Sequence, residues 1–298
     1  MYSEDFIKEE IRDEFLVDVK RKKIWAVELD LLEKLLSVCK KHNIKVSVFA
    51  GTLLGAVRHK GFIPWDDDVD VCMLREDYEK LVKIAPQEFQ EPYFFQTAIS
   101  DPKRFFGYGR LRNSNTTGMI RSHETPDYNN GIYVDVFVLD DYPHNNIFKW
   151  GHWFIKRKVI YKQIQFWLSD YTEGSKIKRT VQNLFKKTVK YEKLAETYFK
   201  NMASNKNCEY VSFLSHSVSF INRYKCKKEY FDHIVYLPFE HLQVPVPSKY
   251  HEMLTETYGD YMKFPPVEQR GQWHNGTIIF DPDTPYKEFL KREGNSGE

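Results

Sequence analysis

The chain of 298 residues carries 44 Lys and Arg against 42 Asp and Glu, is 42% hydrophobic, and has a formal net charge of +2. That is the composition of a folded protein with one large domain or two modest ones; it excludes disorder, and no nucleic-acid partner held by bulk electrostatics is expected. Aromatic residues reach 16%, a surplus that core packing or a cation-binding surface can explain.

The first thirty residues are charged throughout, so they do not read as a secretory signal, and no later run has the apolar length of a membrane span. Cys39, Cys72, Cys208 and Cys226 lack zinc spacing and read as free thiols of a reducing cytoplasm. From Ile24, the positions Val27, Leu31, Leu35 and Val38 recur at helical spacing, and Lys40, Lys41 and Asn43 close a helix. VSVFA, residues 46–50, predicts a strand, Gly51-Thr52 a tight turn, and LLGAVRHKG a helix. In WDDDVDVCML, Val69, Val71 and Met73 alternate with Asp68, Asp70 and Cys72, which predicts a strand with one apolar and one acidic face. A helix follows in REDYEKLVKIA up to Pro86, then extended segments in YFFQTA, YGRLR and GIYVDVFVLD. Beyond Pro143, residues 147–203 predict two helices separated near 172–175. Between Lys149 and Lys190, eleven basic residues stand against Asp170 and Glu173, a local excess of nine positive charges. A hairpin in IVYLPF and LQVPVP and a helix in SKYHEMLTETYG complete the pattern.

The chemistry concentrates in the acidic strands. Two carboxylates on one strand face repel unless a cation lies between them, and a hard divalent ion, Mg²⁺ or Mn²⁺, suits that all-oxygen pair; an exposed acidic turn is the plain alternative. Asp135 stands inside the apolar run GIYVDVFVLD, where a carboxylate is costly unless paired or metal-bound. With Asp68 and Asp70 it completes a three-carboxylate set of the kind used in phosphoryl transfer. Gly51 and Thr52 open a helix, whose first N–H groups and dipole attract a phosphate. Arg58, Arg110 and Arg112 are candidate phosphate contacts, with solvation as the alternative for Arg58.

GTLLGAVRHKGFIPWDDDVDVCM, then NNGIYVDVFVLDDYP, then YGDYMKFPPVEQRGQWH together resemble the LicD family of phosphotransferases, which is similar to fukutin and the fukutin-related protein. The resemblance implies an α+β fold: a nucleotidyltransferase-like mixed sheet with flanking helices and a helical, C-terminal extension. It implies Gly51 and Thr52 on the donor phosphates, and Asp68, Asp70 and Asp135 as catalytic and metal-holding residues, Asp135 also accepting the acceptor's proton. Asp66 and Asp67 then orient the loop from outside the metal shell. Arg270 and His274 of the third motif are candidates to close over the donor, whereas His59 and His123 read as ordinary. Residues 1–143 form the catalytic core and 144–298 complete the site, either as a second portion or within one compact domain. The implied reaction moves phosphorylcholine from CDP-choline, or another phosphoalcohol from a CDP donor, to a teichoic acid or other surface glycan, with CMP leaving.

Choline offers no hydrogen-bond donor, so its recognition needs aromatic faces; Trp65, Tyr108, Tyr133 and Trp273 flank the implied site, and packing is the alternative for each. The basic 149–190 stretch, interleaved with aromatics, reads either as a surface for anionic lipid or a polyanionic acceptor, or as a helical subdomain with its aromatics turned inward. A cytoplasmic location follows, at the inner face of the membrane in the first case. A DxD-type glycosyltransferase using a nucleotide sugar and a non-catalytic cation-binding domain are the rival readings.

Overall fold

The computed structural model describes residues 4–120, 128–143, 146–169, 175–271 and 278–295. The architecture is α+β. A small antiparallel pair, β1 (Glu10–Arg12) and β2 (Phe15–Val17), leads into α1 (Val19–Lys41), which Asp18 caps by accepting from the Arg21 N–H. Next come β3 (Ser47–Val48), α2 (Ala50–Arg58), β4 (Asp70–Leu74), α3 (Arg75–Glu88), β5 (Tyr93–Gln96), β6 (Gly109–Asn113), β7 (Thr117–Ile120) and β8 (Ile132–Asp141). The helices α4 (Ile147–Leu168), α5 (Lys176–Thr188) and α6 (Tyr191–Met202) precede β9 (Tyr210–Ser212), α7 (Val218–Arg223) and β10 (Cys226–Lys227). The chain ends through the hairpin β11 (Ile234–Phe239) and β12 (Leu242–Pro247), α8 (Tyr250–Tyr258), β13 (Ile278–Asp281) and α9 (Tyr286–Asn295).

The chain divides into two compact units that interleave in sequence, whereas the sequence leaves open one compact domain or a boundary after Pro143. One comprises Met1–Gln96, Arg110–Phe137 and Tyr230–Glu298; the other comprises Thr97–Gly109 and Val138–Glu229. In the first, β4 lies between β3 and β8, and β6 between β5 and β8. Ser47 registers with Cys72 across β3 and β4, and Gln96 with Arg110 across β5 and β6. α1 is buried along two stripes, Ile24–Leu31–Leu35–Val38 and Trp25–Leu29–Leu32–Cys39, so it is a core helix rather than a surface one.

Local expectations shift in three places. The predicted strand at 46–50 shortens to Ser47–Val48, because helix α2 already starts at Ala50, whose φ of 47° turns the chain sharply out of the strand. Helix α3 runs through Pro86 into its last turn instead of stopping before it. The expected pair of helices between 147 and 203 is three, since Lys190 caps a separate α6.

In the second unit, Trp153, Ile160 and Ile164 of α4 pack with Tyr191, Leu194, Tyr198 and Met202 of α6. Trp153 Nε1 donates to the Asn201 carbonyl at 2.9 Å, and Arg157 donates to the carbonyls of Leu214 and His216 at 2.7 and 2.6 Å.

Arg112 of β6 is buried among sheet residues and ties three segments of the first unit together. Its Nε donates to Gln96 Oε1 and its Nη1 to the Gly131 carbonyl, both at 2.6 Å. Arg112→Met leaves two buried acceptors without their donor, so denaturant unfolding is expected to show a loss of about 2–4 kcal/mol; a loss near zero would mean these bonds do not hold the sheet.

Candidate active site

The site assembles where α2 starts. Phe49 caps the helix without a side-chain hydrogen bond, and the first intrahelical bond runs from the Leu53 N–H to the Phe49 carbonyl. The preceding N–H groups, those of Ala50, Gly51 and Thr52, belong to the turn that has no partner within a helix and suits an anion. Gly51 and Thr52 therefore sit inside the first helical turn, not in a turn before it. Thr52 is buried, and its Oγ1 accepts from the Asp70 N–H at 2.8 Å. The Asp70 carbonyl in turn accepts from the Phe49 N–H at 2.9 Å. On the other side, the Asp135 N–H donates to the Val69 carbonyl at 3.0 Å.

Asp68 does not share a strand face with Asp70, because β4 begins only at Asp70. Asp68 belongs instead to the preceding loop, where the carboxylates of Asp66, Asp67 and Asp68 offer oxygens within 4.8 Å of one another. Asp66 and Asp67, expected outside the metal shell, thus gather with Asp68. The loop is tied to α1 through the Asp66 carbonyl, which accepts from Arg21 Nη1 at 2.7 Å and from Trp25 Nε1 at 3.1 Å. Gly51 matters here through its missing side chain: a Cβ would stand 2.7 Å from Asp66 Oδ2.

Burial first, and then Asp68, Asp135 and Asp66, push the Asp70 carboxyl well above the usual carboxylate range, with Arg110 opposing. Asp70 Oδ1 is shut off from solvent with no hydrogen-bond partner. An all-oxygen donor set fits a hard divalent cation, and Asp66, Asp67 and Asp68 are the gathered residues able to hold one, with the orphaned buried oxygen of Asp70 in their electrostatic reach.

Asp135 is placed differently from its expected part as a free ligand. Arg110 grips it on both oxygens, Nε to Oδ1 at 2.6 Å and Nη2 to Oδ2 at 3.3 Å, in a buried pair. Sequence spacing puts Arg110 and Arg112 on one strand face, yet only Arg110 meets a carboxylate of the candidate site; Arg112 is spent on the sheet. Arg58 and Arg270 come together over Phe264, with guanidinium carbons 4.8 and 5.6 Å from the ring centroid. Arg58 Nη1 also donates to the Tyr261 carbonyl, and Arg270 Nη1 to the Asp13 carbonyl. His59 stacks on the same Phe264 and pairs with Asp13, a packing role.

Two candidate faces for a quaternary cation are already covered. Arg270 lies 4.9 Å over Trp65, and Arg110 lies 3.9 Å over Tyr133 with Arg112 at 4.8 Å. Tyr108 belongs to the second unit, edge-on to Phe213. His123, Trp273 and His274 lie outside the described residues.

Glu28 is the site residue that sequence reasoning missed. It lies on the Trp25–Leu29–Leu32 stripe of α1, 1% exposed, and its Oε2 has no hydrogen-bond partner. Burial, and then Asp68, Asp67 and Asp66, push its carboxyl well above the usual range, with Arg21 opposing. A charged residue within an apolar stripe was the available signal; reading α1 with a single buried face hid it.

The description "LicD/FKTN/FKRP, nucleotidyltransferase domain" matches residues 43–178. The chain is similar to the lipopolysaccharide cholinephosphotransferase LicD of Haemophilus influenzae, 31% identical over 262 residues, 83% of this chain and 92% of that one. It is also similar to an uncharacterized protein of Rickettsia prowazekii, 34% identical over 105 residues, 35% of this chain and 36% of that one. A second such protein, from Rickettsia typhi, is 51% identical over 53 residues, 18% and 17% of the two chains.

Two substitutions test the geometry. Gly51→Ala favours the helix yet displaces the Asp66 carboxylate, so thermal stability is expected to hold or rise while Mn²⁺ affinity, read by titration, falls about tenfold. Glu28 holds its proton more tightly in the folded chain than in the unfolded one, so its contribution to stability is lost as pH rises above the unfolded value and through the folded one. Glu28→Gln, measured without divalent ions, is therefore expected to melt a few degrees higher than the parent at about pH 8, the gap closing towards about pH 4.

Proposed function

From the membership of this chain in the LicD family, which its likeness over most of its length to the Haemophilus cholinephosphotransferase establishes, we propose that it is a phosphotransferase moving phosphocholine from CDP-choline to a hydroxyl of a surface glycan. The observation that carries this reading is the bond between Thr52 Oγ1 and the Asp70 N–H, which fixes an uncapped helix start against a gathered set of carboxylates. A diphosphate needs both halves: N–H donors for its oxygens and carboxylates for a cation between them.

The acceptor hydroxyl attacks the phosphorus that bears choline; the new P–O bond forms as the bond to the CMP oxygen breaks, and CMP leaves with the electron pair. The first N–H groups of α2 bind the diphosphate oxygens. Asp66, Asp67 and Asp68, with Asp70 next to them, would hold Mg²⁺ or Mn²⁺, which would neutralise the diphosphate charge. Asp135 orients Arg110 from both oxygens, which leaves the guanidinium as the cation nearest Asp70 and suited to the leaving phosphate. With Asp135 occupied in this way, the hydroxyl proton passes to a carboxylate of the 66–70 loop. Arg58 and Arg270, aligned over Phe264, provide a second positive edge. A teichoic acid precursor is the acceptor this reading favours, and a cytoplasmic location goes with it.

CMP release from CDP-choline in the presence of Mg²⁺ or Mn²⁺ and a glycan acceptor tests the proposal. Asp68→Ala and Asp70→Ala are each expected to lower kcat by at least about a hundredfold with the fold retained by circular dichroism. Turnover of a nucleotide sugar in place of CDP-choline would assign the site to glycosyl transfer, and full activity in both variants would remove the carboxylates from the mechanism.

A further inference from the structure

Helices α4 and α5 together contain ten Lys and Arg residues and no Asp or Glu. Their apolar residues are distributed unusually. On α4, Trp153, Ile160 and Ile164 fill the core of the second unit, while Phe148, Ile155 and Val159 recur on the opposite side of the helix and are 84%, 63% and 51% exposed. A helix that is apolar on both sides needs a second apolar neighbour. On α5, Gln182 and Phe185 face inward: Gln182 Nε2 donates to the carbonyls of Phe166 and Ser169, and Phe185 meets the Phe166 ring. Ile177, Val181 and Leu184, spaced by four and three residues, line the other side at 76%, 54% and 64% exposure.

Apart from Phe148 and Tyr161, the aromatics of this stretch are not the exposed set. Trp153 is buried, Trp150 and Trp167 are half-buried, and Trp150 stacks on Phe154. Large aliphatic side chains and Phe148 face solvent instead, flanked by exposed Lys158 and Lys162 on α4 and by Lys176 and Lys187 on α5. Among the described residues no helix is long and apolar enough to cross a membrane. We infer that these apolar stripes and their lysine borders dock the protein on the surface of a bilayer rich in anionic lipid. Charge complementarity selects that occupant: two helices with ten basic residues, no Asp or Glu and insertable aliphatics meet both signals that stable peripheral binding requires, buried apolar area and attraction to negative headgroups. A second copy of the chain would bring the same uncompensated positive charge against itself. The inference rests on the second unit alone and stands apart from the reaction proposed above.

Flotation of the full chain with phosphatidylcholine vesicles and with vesicles containing about 30% phosphatidylglycerol decides it. Binding to the anionic vesicles that weakens with salt, and at least about tenfold weaker binding to the neutral ones, is the expected result. The triple variant Ile177→Ser, Val181→Ser, Leu184→Ser and the charge reversal Lys176→Glu with Lys187→Glu are each expected to weaken anionic binding by about tenfold with an unchanged melting temperature. These positions are exposed, so folding is not at risk. Equal or absent binding to both vesicle types, or anionic binding that neither variant alters, overturns the inference. So does self-association in sizing experiments that the triple variant abolishes in the absence of any vesicle binding.

Discussion

The first unit depends on how the backbone of Val69 and Asp70 is held. Three groups from two distant stretches reach these two residues: the Phe49 N–H and Thr52 Oγ1, from the β3–α2 junction, and the Asp135 N–H of β8. Each bond is modest alone, of the order of 1 kcal/mol, but they converge on the point where the acidic loop becomes a strand. The sharp exit from β3 at Ala50, and the absence of a side chain at Gly51, follow from the same need to bring a helix start against that loop.

Bringing five carboxylates into one region has an electrostatic cost that the rest of the unit is arranged to limit. Asp70 and Glu28 are both pushed towards the neutral form by burial and by the loop aspartates. The opposing charge comes from Arg21 beside the loop and from Arg110, itself fixed by Asp135. Two carboxylate oxygens stay buried without hydrogen-bond partners, Asp70 Oδ1 and Glu28 Oε2, a cost that a hard divalent cation bound there would offset. Stability has been exchanged for function here, and the buried hydrogen-bonded arginine Arg112 holds the neighbouring strands while it is so.

The second unit solves a different problem. α4 and α6 share a dense aromatic and aliphatic core, and Arg157 fixes the chain that follows β9 by bonding two of its carbonyls, those of Leu214 and His216. The near-neutral total charge of the protein conceals a separation, with a gathered acidic loop in one unit and two helices free of Asp and Glu, α4 and α5, in the other.

Much was legible in the sequence. Alternation at 69–73, the run at 132–139, the hairpin at 234–247 and the motif at 51–70 determined the element types, the family and the residues worth testing, because side-chain periodicity and short motifs are local properties. The long helical stretch and its charge excess were equally visible. What the residues meet was not. Asp135 read as a free ligand because nothing local reveals that Arg110, twenty-five positions earlier, lies beside it on the next strand. Glu28 drew no notice because a helix shows its second buried face only when packed. Trp65 and Tyr133 read as open aromatic faces until arginines from elsewhere in the chain covered them. Tertiary structure decided these points for one physical reason: partners, burial and charge compensation are set by what folding brings within a few ångströms, and sequence spacing carries no record of it across strands and loops.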